Sequence, residues 1–198
     1  MLHNILHPLV QGGASPLQYL TANGDVIGEG HGPKELPDFA SDKNILLQAY
    51  RWMNLTRAFD QKAVALQRTG IIGTYPSSLG QEAISIACGM ALEKEDVFVP
   101  YYRDHGSYLV RGHLMEHLLL YWGGDERGSA YKPVNGSDYD MPICVPIATQ
   151  ASHAAGIASA FKIQQKKQAV LCTLGDGASS KGDFLEALNL AGSWKLPV

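Results

Sequence analysis

Apolar positions along this chain change period several times, and each change marks an element. Ile45, Ala49, Trp52, Thr56, Phe59, Ala63 and Leu66 alternate spacings of four and three. They draw one stripe along a helix of roughly seven turns. Ser41 or Asp42 is placed to cap this helix and Gly70 to end it. Arg51, Arg57, Asp60, Lys62 and Arg68 fall off the stripe and are expected to face solvent or a partner. A single stripe of this length is expected to pack across the domain rather than in a coiled coil. Further helices are predicted over residues 81–92, with Ala83, Ile86, Ala87 and Met90 inward, over 114–122 and over 151–165.

Residues 96–100 suggest a short strand, and the six-residue uncharged run at 169–174 has the length of a strand buried on both faces of a parallel sheet. The helix predicted over 183–195 carries Asp183 and Glu186 with capping-box spacing. Phe184, Leu185, Leu188, Ala191 and Trp194 share its expected inner face. Strands alternating with helices specify the α/β class with a mostly parallel sheet. Ahead of these elements, residues 1–40 are rich in Gly and Pro. They hold a predicted hairpin, 17–20 against 26–27 around Ala22-Asn23-Gly24-Asp25, and an extended arm over 28–37. The expected organisation is therefore an arm at 1–40 and one domain at 41–198. Loops are expected at 71–79 and at 123–141, the second long enough to be functional.

Composition narrows the class of function. A chain of 198 residues, 45% hydrophobic and 18% charged, suffices for one well-buried domain or most of a larger one. A formal net charge of −3 gives no electrostatic reason to expect nucleic acid or an anionic membrane as partner. The first ten residues lack the basic start and unbroken apolar core of a secretory signal, and no run approaches the length of a membrane-spanning helix. Cys88, Cys144 and Cys172 are odd in number and far apart, so reduced core residues in a cytoplasmic protein are expected. His113 and His117 could share a helix face, but neither the Glu of a His-Glu-x-x-His motif nor a third ligand accompanies them, and no zinc site is expected.

The candidate chemistry lies where the strand at 169–174 meets the helix at 183–195. Gly175, Asp176, Gly177 and Ala178 open a loop at the carboxyl end of a strand, where ligands bind in open α/β sheets. Glycines let a backbone approach phosphate closely, and a helix amino terminus attracts anions. The Asp176 carboxylate would repel a phosphate unless a divalent cation lay between them, so the loop reads as a site for a magnesium-bridged diphosphate. Two other phosphate loops fail. Ser180 stands where the dinucleotide fingerprint needs its third glycine, and Asp183 stands where a P-loop spaced on Gly177 and Gly182 needs lysine. A second cluster, Tyr101 to Gly106, offers in Arg103 a fork of donors matched to phosphate oxygens, with the Tyr102 phenol beside it. An Arg next to Asp104 also fits a surface ion pair. His105 has an unperturbed pKa near neutrality, suited to moving protons, or is satisfied by a structural hydrogen bond. A third segment, 142–150, leads into a helix of small residues that allow close approach of a backbone or a ligand.

The run from Gly175 to Val198 resembles the first two thirds of the thiamine diphosphate motif, which opens with Gly-Asp-Gly and closes with paired asparagines that this sequence does not include. The chain is similar, from about Leu17 onward, to the α subunit of the thiamine-dependent decarboxylating component of 2-oxo acid dehydrogenase complexes. Gly80-Gln81-Glu82-Ala83 is similar to a helix opening near the active site in that family. Pro76 stands where mammalian pyruvate-specific relatives carry a histidine, which places the chain nearer the bacterial members.

The resemblance implies a thiamine diphosphate-binding fold with thiamine diphosphate and Mg2+ as cofactors. It implies that Asp176 binds the metal, that Tyr102 and Arg103 bind diphosphate, and that Gly175, Gly177 and Ala178 offer backbone groups. The main chain of 146–150, including Ile147 and Thr149, is expected against the aminopyrimidine, and His105 on the thiazolium side as a catalytic group. Tyr75 is expected at the substrate entrance or in simple packing. The implied partners are a β subunit, which supplies the activating acid in an α2β2 heterotetramer, and a lipoyl-bearing acyltransferase. The implied substrate is pyruvate, with a branched-chain 2-oxo acid or acetoin as alternatives. A non-catalytic piece unable to bind cofactor alone is the reading from another class.

Overall fold

The computed structural model describes residues 18–27, 36–130 and 138–198. Most of the expected arm, 28–35, and Leu17 of the hairpin lie outside the described residues, as do 131–137 of the long loop. The chain divides into two compact units, Met1–Leu46 and Leu47–Val198.

In the first unit the predicted turn forms. Leu20 bridges Val26 in antiparallel fashion, and the Ile27 N–H donates to the Tyr19 carbonyl at 2.9 Å. Gly24 takes φ +88°, the left-handed conformation that the Asn-Gly pair signals. A 3-10 turn at Asp38–Ser41 leads to Asp42, whose carboxylate accepts from the N–H groups of Asn44 (2.8 Å) and Ile45 (3.3 Å). Asp42 is therefore the cap of helix α1, Lys43–Arg68, which from Leu47 onward belongs to the second unit, and Gly70 follows its end at φ +75°.

The second unit contains the helices α2 (Glu82–Ala91), α3 (His105–Val110), α4 (Met115–Trp122), α5 (Thr149–Ile163) and α6 (Gly182–Trp194) and two strands, β1 (Val97–Val99) and β2 (Val170–Cys172). The strands are parallel, with Val97, Phe98 and Val99 opposite Val170, Leu171 and Cys172, which confirms the expected α/β class and parallel pairing. Each strand is shorter than its apolar run. Ala151, Ala154, Ala155 and Ala158 of α5 join Val97, Val99, Val170, Ala187 and Leu196 in one core. The small residues of α5 thus serve close packing of helix on helix and on sheet. Phe59, Tyr108, Leu109 and Leu118 form a second core, and Ala63, Ile72 and Trp122 a third. Beyond the long loop, Asp140 holds the returning chain to β1. Its carboxylate accepts from Phe98 N–H at 3.0 Å and from Arg111 Nε at 2.6 Å.

Several inward faces differ from the expectation, each for a packing reason. Asp60, placed off the α1 stripe, is buried at 3% exposure, because residues 75–78 surround it with donors. On α2 the buried residues are Glu82, Ser85, Ile86 and Gly89, whereas Ala83 and Ala87 are exposed. That face is set by a close crossing with α3. A Cβ at Gly89 would stand 3.0 Å from the Ser107 carbonyl oxygen, and Ser107 N–H donates to Ser85 Oγ at 2.8 Å. On α6 the small Ala187 turns inward, with Phe184 and Ala191 partly buried, while Leu185, Leu188 and Trp194 stay exposed. Asp183 is not the cap of α6. The helix begins at Gly182 without a side-chain cap, and the Asp183 carboxylate lies in the first turn, where the helix dipole favours it. The three cysteines are free thiols but half-buried rather than core residues. Among the described residues no helix is long and apolar enough to cross a membrane.

Candidate functional site

Parallel strands in register end side by side, so the two loops that leave them share one end of the sheet. The chain leaving β1 runs through Tyr101, Tyr102, Arg103 and Asp104 into α3, and the chain leaving β2 runs through Thr173 to Gly175 and a 3-10 turn, Asp176–Ser180, into α6. A third segment joins them at the start of α5, where Gln150 Nε2 donates to the Thr173 carbonyl at 3.3 Å. All three expected cofactor segments are thus at the carboxyl ends of the strands, the usual ligand position of open α/β sheets.

Within the β2 loop, Gly175, Asp176 and Gly177 are exposed and Ala178 is buried. The turn is closed by Ala178 N–H on the Gly175 carbonyl (2.9 Å) and by Ser179 Oγ on the Asp176 carbonyl (2.7 Å). The Asp176 side chain therefore stands out at the head of a turn and a following helix. Among the described residues no group of three or more His, Cys, Asp or Glu is arranged around a metal position. One exposed carboxylate is a donor set for a magnesium ion shared with phosphate oxygens and water, not for one caged by protein.

Tyr102 and Arg103 are half-buried. Arg103 Nη1 donates to the Ser77 carbonyl, and the guanidinium lies 5.4 Å from the centre of the Tyr102 ring. One of its five N–H groups is used in this anchor, which orients the fork while leaving donors for an anion. Asp104 does not pair with Arg103. Its Oδ2 accepts from the Thr173 hydroxyl and, at 3.1 Å, from Tyr101 N–H. Burial pushes the Asp104 carboxyl up to about 7, against the opposing effect of these two donors.

His105 is fully enclosed, and both ring nitrogens are engaged. Trp122 Nε1 donates to Nε2 at 2.9 Å, and Nδ1 lies 3.3 Å from Tyr75 Oη. Indole is only a donor, so Nε2 is the acceptor and the neutral ring carries its proton on Nδ1. Burial lowers the His105 pKa to about 4. The Tyr75 ring stacks on the imidazole at 5.0 Å and its hydroxyl donates to Asp60 at 3.0 Å. Asp60 also accepts from Ser77 Oγ and Ser78 N–H, each at 2.7 Å. A chain Asp60, Tyr75, His105, Trp122 therefore ties α1, the 71–79 loop, α3 and α4 together. The same Ser77 anchors Arg103.

Ile147 is half exposed, and Thr149 is the first residue of α5. Between them Ala148 is buried with φ 71°, a left-handed conformation that costs a non-glycine residue about 1 kcal/mol or more. The structure gives Asp60, Asp104 and Gln150 buried side-chain roles that differ from those expected of them, and adds Thr173 to the site. Asp60 was readable only as an acid four residues after Thr56, next to the stripe. Nothing local distinguished the other three from surface polar residues.

A profile of the dehydrogenase E1 component family matches residues 50–198. The chain is 40% identical over 176 residues to a protein of Acholeplasma laidlawii named pyruvate dehydrogenase E1 component subunit alpha, covering 89% of this chain and 48% of that one. Proteins of the same name from Mycoplasma genitalium and Bacillus subtilis are each 36% identical, over 74% and 91% of this chain. The chain spans less than half the length of these relatives, 40% and 46% in the last two cases.

Proposed function

This chain belongs to the dehydrogenase E1 component family, and from that premise we propose that it serves as the α subunit of a pyruvate dehydrogenase. In this role it binds thiamine diphosphate and Mg2+, and contributes to decarboxylation of pyruvate with acetyl transfer to a lipoyl group. The observation that carries the proposal is that the loops bearing Gly175–Ala178, Tyr102–Arg103 and 147–150 leave one end of a parallel sheet and are joined there through Thr173, which bonds Tyr101 and Gln150. The identities of 34–40% to proteins named for pyruvate favour that substrate over branched 2-oxo acids or acetoin.

Each residue set has a definite task. Asp176 holds Mg2+ through its carboxylate, which removes the repulsion it would otherwise exert on a diphosphate. Arg103 and Tyr102 donate to the phosphate oxygens, and the backbone around Gly175, Gly177 and Ala178 admits them closely. Ile147 and Thr149 present main-chain groups to the aminopyrimidine, with the strained Ala148 fixing their direction. When bound, the cofactor supplies a stabilised carbanion and an electron sink. His105 stays neutral near pH 7 and holds its proton on Nδ1. The acid that activates the aminopyrimidine comes from a β subunit in an α2β2 assembly, and the acyl acceptor is the lipoyl-bearing acyltransferase of the complex.

Calorimetric titration with thiamine diphosphate tests the proposal. Mg2+-dependent binding by the chain with its β partner is expected, and Asp176→Asn should abolish the Mg2+ dependence. No binding at millimolar cofactor with β subunit present would overturn the reading. Turnover of pyruvate against branched 2-oxo acids by the reconstituted complex tests the substrate.

A further inference from the structure

We propose that Asp104 and Thr173 form a clasp across the ends of the two strands, making Asp104 the positioning residue that holds Tyr102 and Arg103 against the Gly175–Ala178 loop. The inference rests on the cofactor reading above and adds to it how two loops distant in sequence are kept in register. Strand pairing alone ends at Val99 and Cys172. Beyond it, Thr173 N–H still reaches the Val99 carbonyl at 3.3 Å, and then the side chains take over. Tyr101 N–H is shared between Thr173 Oγ1 (3.2 Å) and Asp104 Oδ2 (3.1 Å), and the Thr173 hydroxyl donates to the same carboxylate oxygen. Gln150 extends the clasp to α5 through the Thr173 carbonyl.

The position of Asp104 argues against ordinary helix capping. It occupies the N-cap site of α3 yet makes no side-chain cap bond to that helix. A carboxylate here is 4% exposed, and its partners are a hydroxyl and an amide rather than a cation. A buried acid without a counter-ion is costly and is kept where a specific connection needs it. The ionisable groups facing it are Tyr101 in its own loop, Cys172 on β2 and Cys88 on α2; burial raises the pKa of each, and the Asp104 charge adds to that rise. An ionised carboxylate accepts more strongly than a neutral one, so the clasp tightens as Asp104 loses its proton near neutral pH.

The test compares wild type with Asp104→Asn, Thr173→Val and Thr173→Ser in the chain assembled with its β partner. Asp104→Asn and Thr173→Val should each weaken binding of thiamine diphosphate with Mg2+ by roughly tenfold, the loss of a charge-assisted bond. Thr173→Ser keeps the hydroxyl and should bind as wild type. Between pH 6 and about 8 the wild-type affinity should rise more than in Asp104→Asn. The comparison is needed because the diphosphate itself ionises in that range. A second readout needs no cofactor: amide hydrogen exchange at Tyr101, Thr173 and residues 175–178 should accelerate in Asp104→Asn and Thr173→Val. Unchanged exchange together with unchanged affinity in both variants would overturn the clasp. Accelerated exchange in a protein that binds no cofactor at all would leave the clasp standing and sink the cofactor reading instead.

Discussion

The two sides of the larger unit are built by opposite means. Around the strands, α5 and α6 pack through Ala151, Ala154, Ala155, Ala158 and Ala187 against Val97, Val99 and Val170. Where α1, α2 and α3 meet, the buried residues include Thr56, Asp60, Ser85, Glu82, His105 and Ser107. The apolar side is held by area and fit, which are non-directional and tolerate small changes. The polar side is held by directional bonds whose partners are orphaned when one member is lost. The difference teaches where position is specified: Arg103, His105 and the 71–79 loop all hang from the polar side.

The contrast predicts a graded series of effects. Asp60→Ala strands the Tyr75 hydroxyl, Ser77 and the Ser78 amide in the interior. It should lower unfolding free energy by about 3 kcal/mol or more in denaturant titration. A comparable cost from Ala154→Gly on the apolar side would break the comparison.

The pH dependence sharpens it further. His105 titrates at about 4 in the fold against an unperturbed 6.5, so the folded state binds fewer protons and stability falls as pH drops from 6.5 to 4. Asp104 titrates at about 7 against 3.8, so the folded state binds more protons and stability falls as pH rises across nearly the same interval. The two contributions oppose each other. Asp104→Asn should leave the His105 contribution uncompensated, steepening the loss on acidification by on the order of 3 kcal/mol between pH 6.5 and 4. Melts across that range measure the slope, and an unchanged slope would refute the opposition.

Smaller effects belong to the apolar side. Ala158→Leu forces three methylene-sized groups into a fully buried site and should cost about 2 kcal/mol by thermal denaturation. Ala148→Gly relieves the left-handed backbone before α5 and should raise stability by about 1 kcal/mol or less in the same assay.

The parts of the fold legible in the sequence were those governed by local period and local chemistry. Helix α1 and its Asp42 cap, the Asn23-Gly24 turn and the two apolar runs that became β1 and β2 all follow from neighbours within a few residues, although of the expected stripe only Thr56, Phe59 and Ala63 are buried and Ile45 is exposed. The candidate Gly175–Ala178 loop was readable for the same reason, since a strand, glycines and a helix in succession dictate a turn that can face an anion. Polar residues at buried positions were not readable. Asp60 looked like a solvated charge because its donors come from residues 15 to 18 positions later. Asp104 looked like half of a surface pair with Arg103, although its partner Thr173 lies 69 residues away.

By itself, then, the sequence determined the main elements, the parallel α/β class and the glycine-rich turn at Gly175–Ala178, because periodicity and turn preference act over a few residues. Only the tertiary structure decided which faces turn inward and which acids are buried. It also decided that His105 is locked between Trp122 and Tyr75. The physical reason is that burial and hydrogen bonding depend on what arrives from elsewhere in the chain. A small residue is drawn inward where two helices cross closely, and a carboxylate is tolerated inside only where distant donors converge on it.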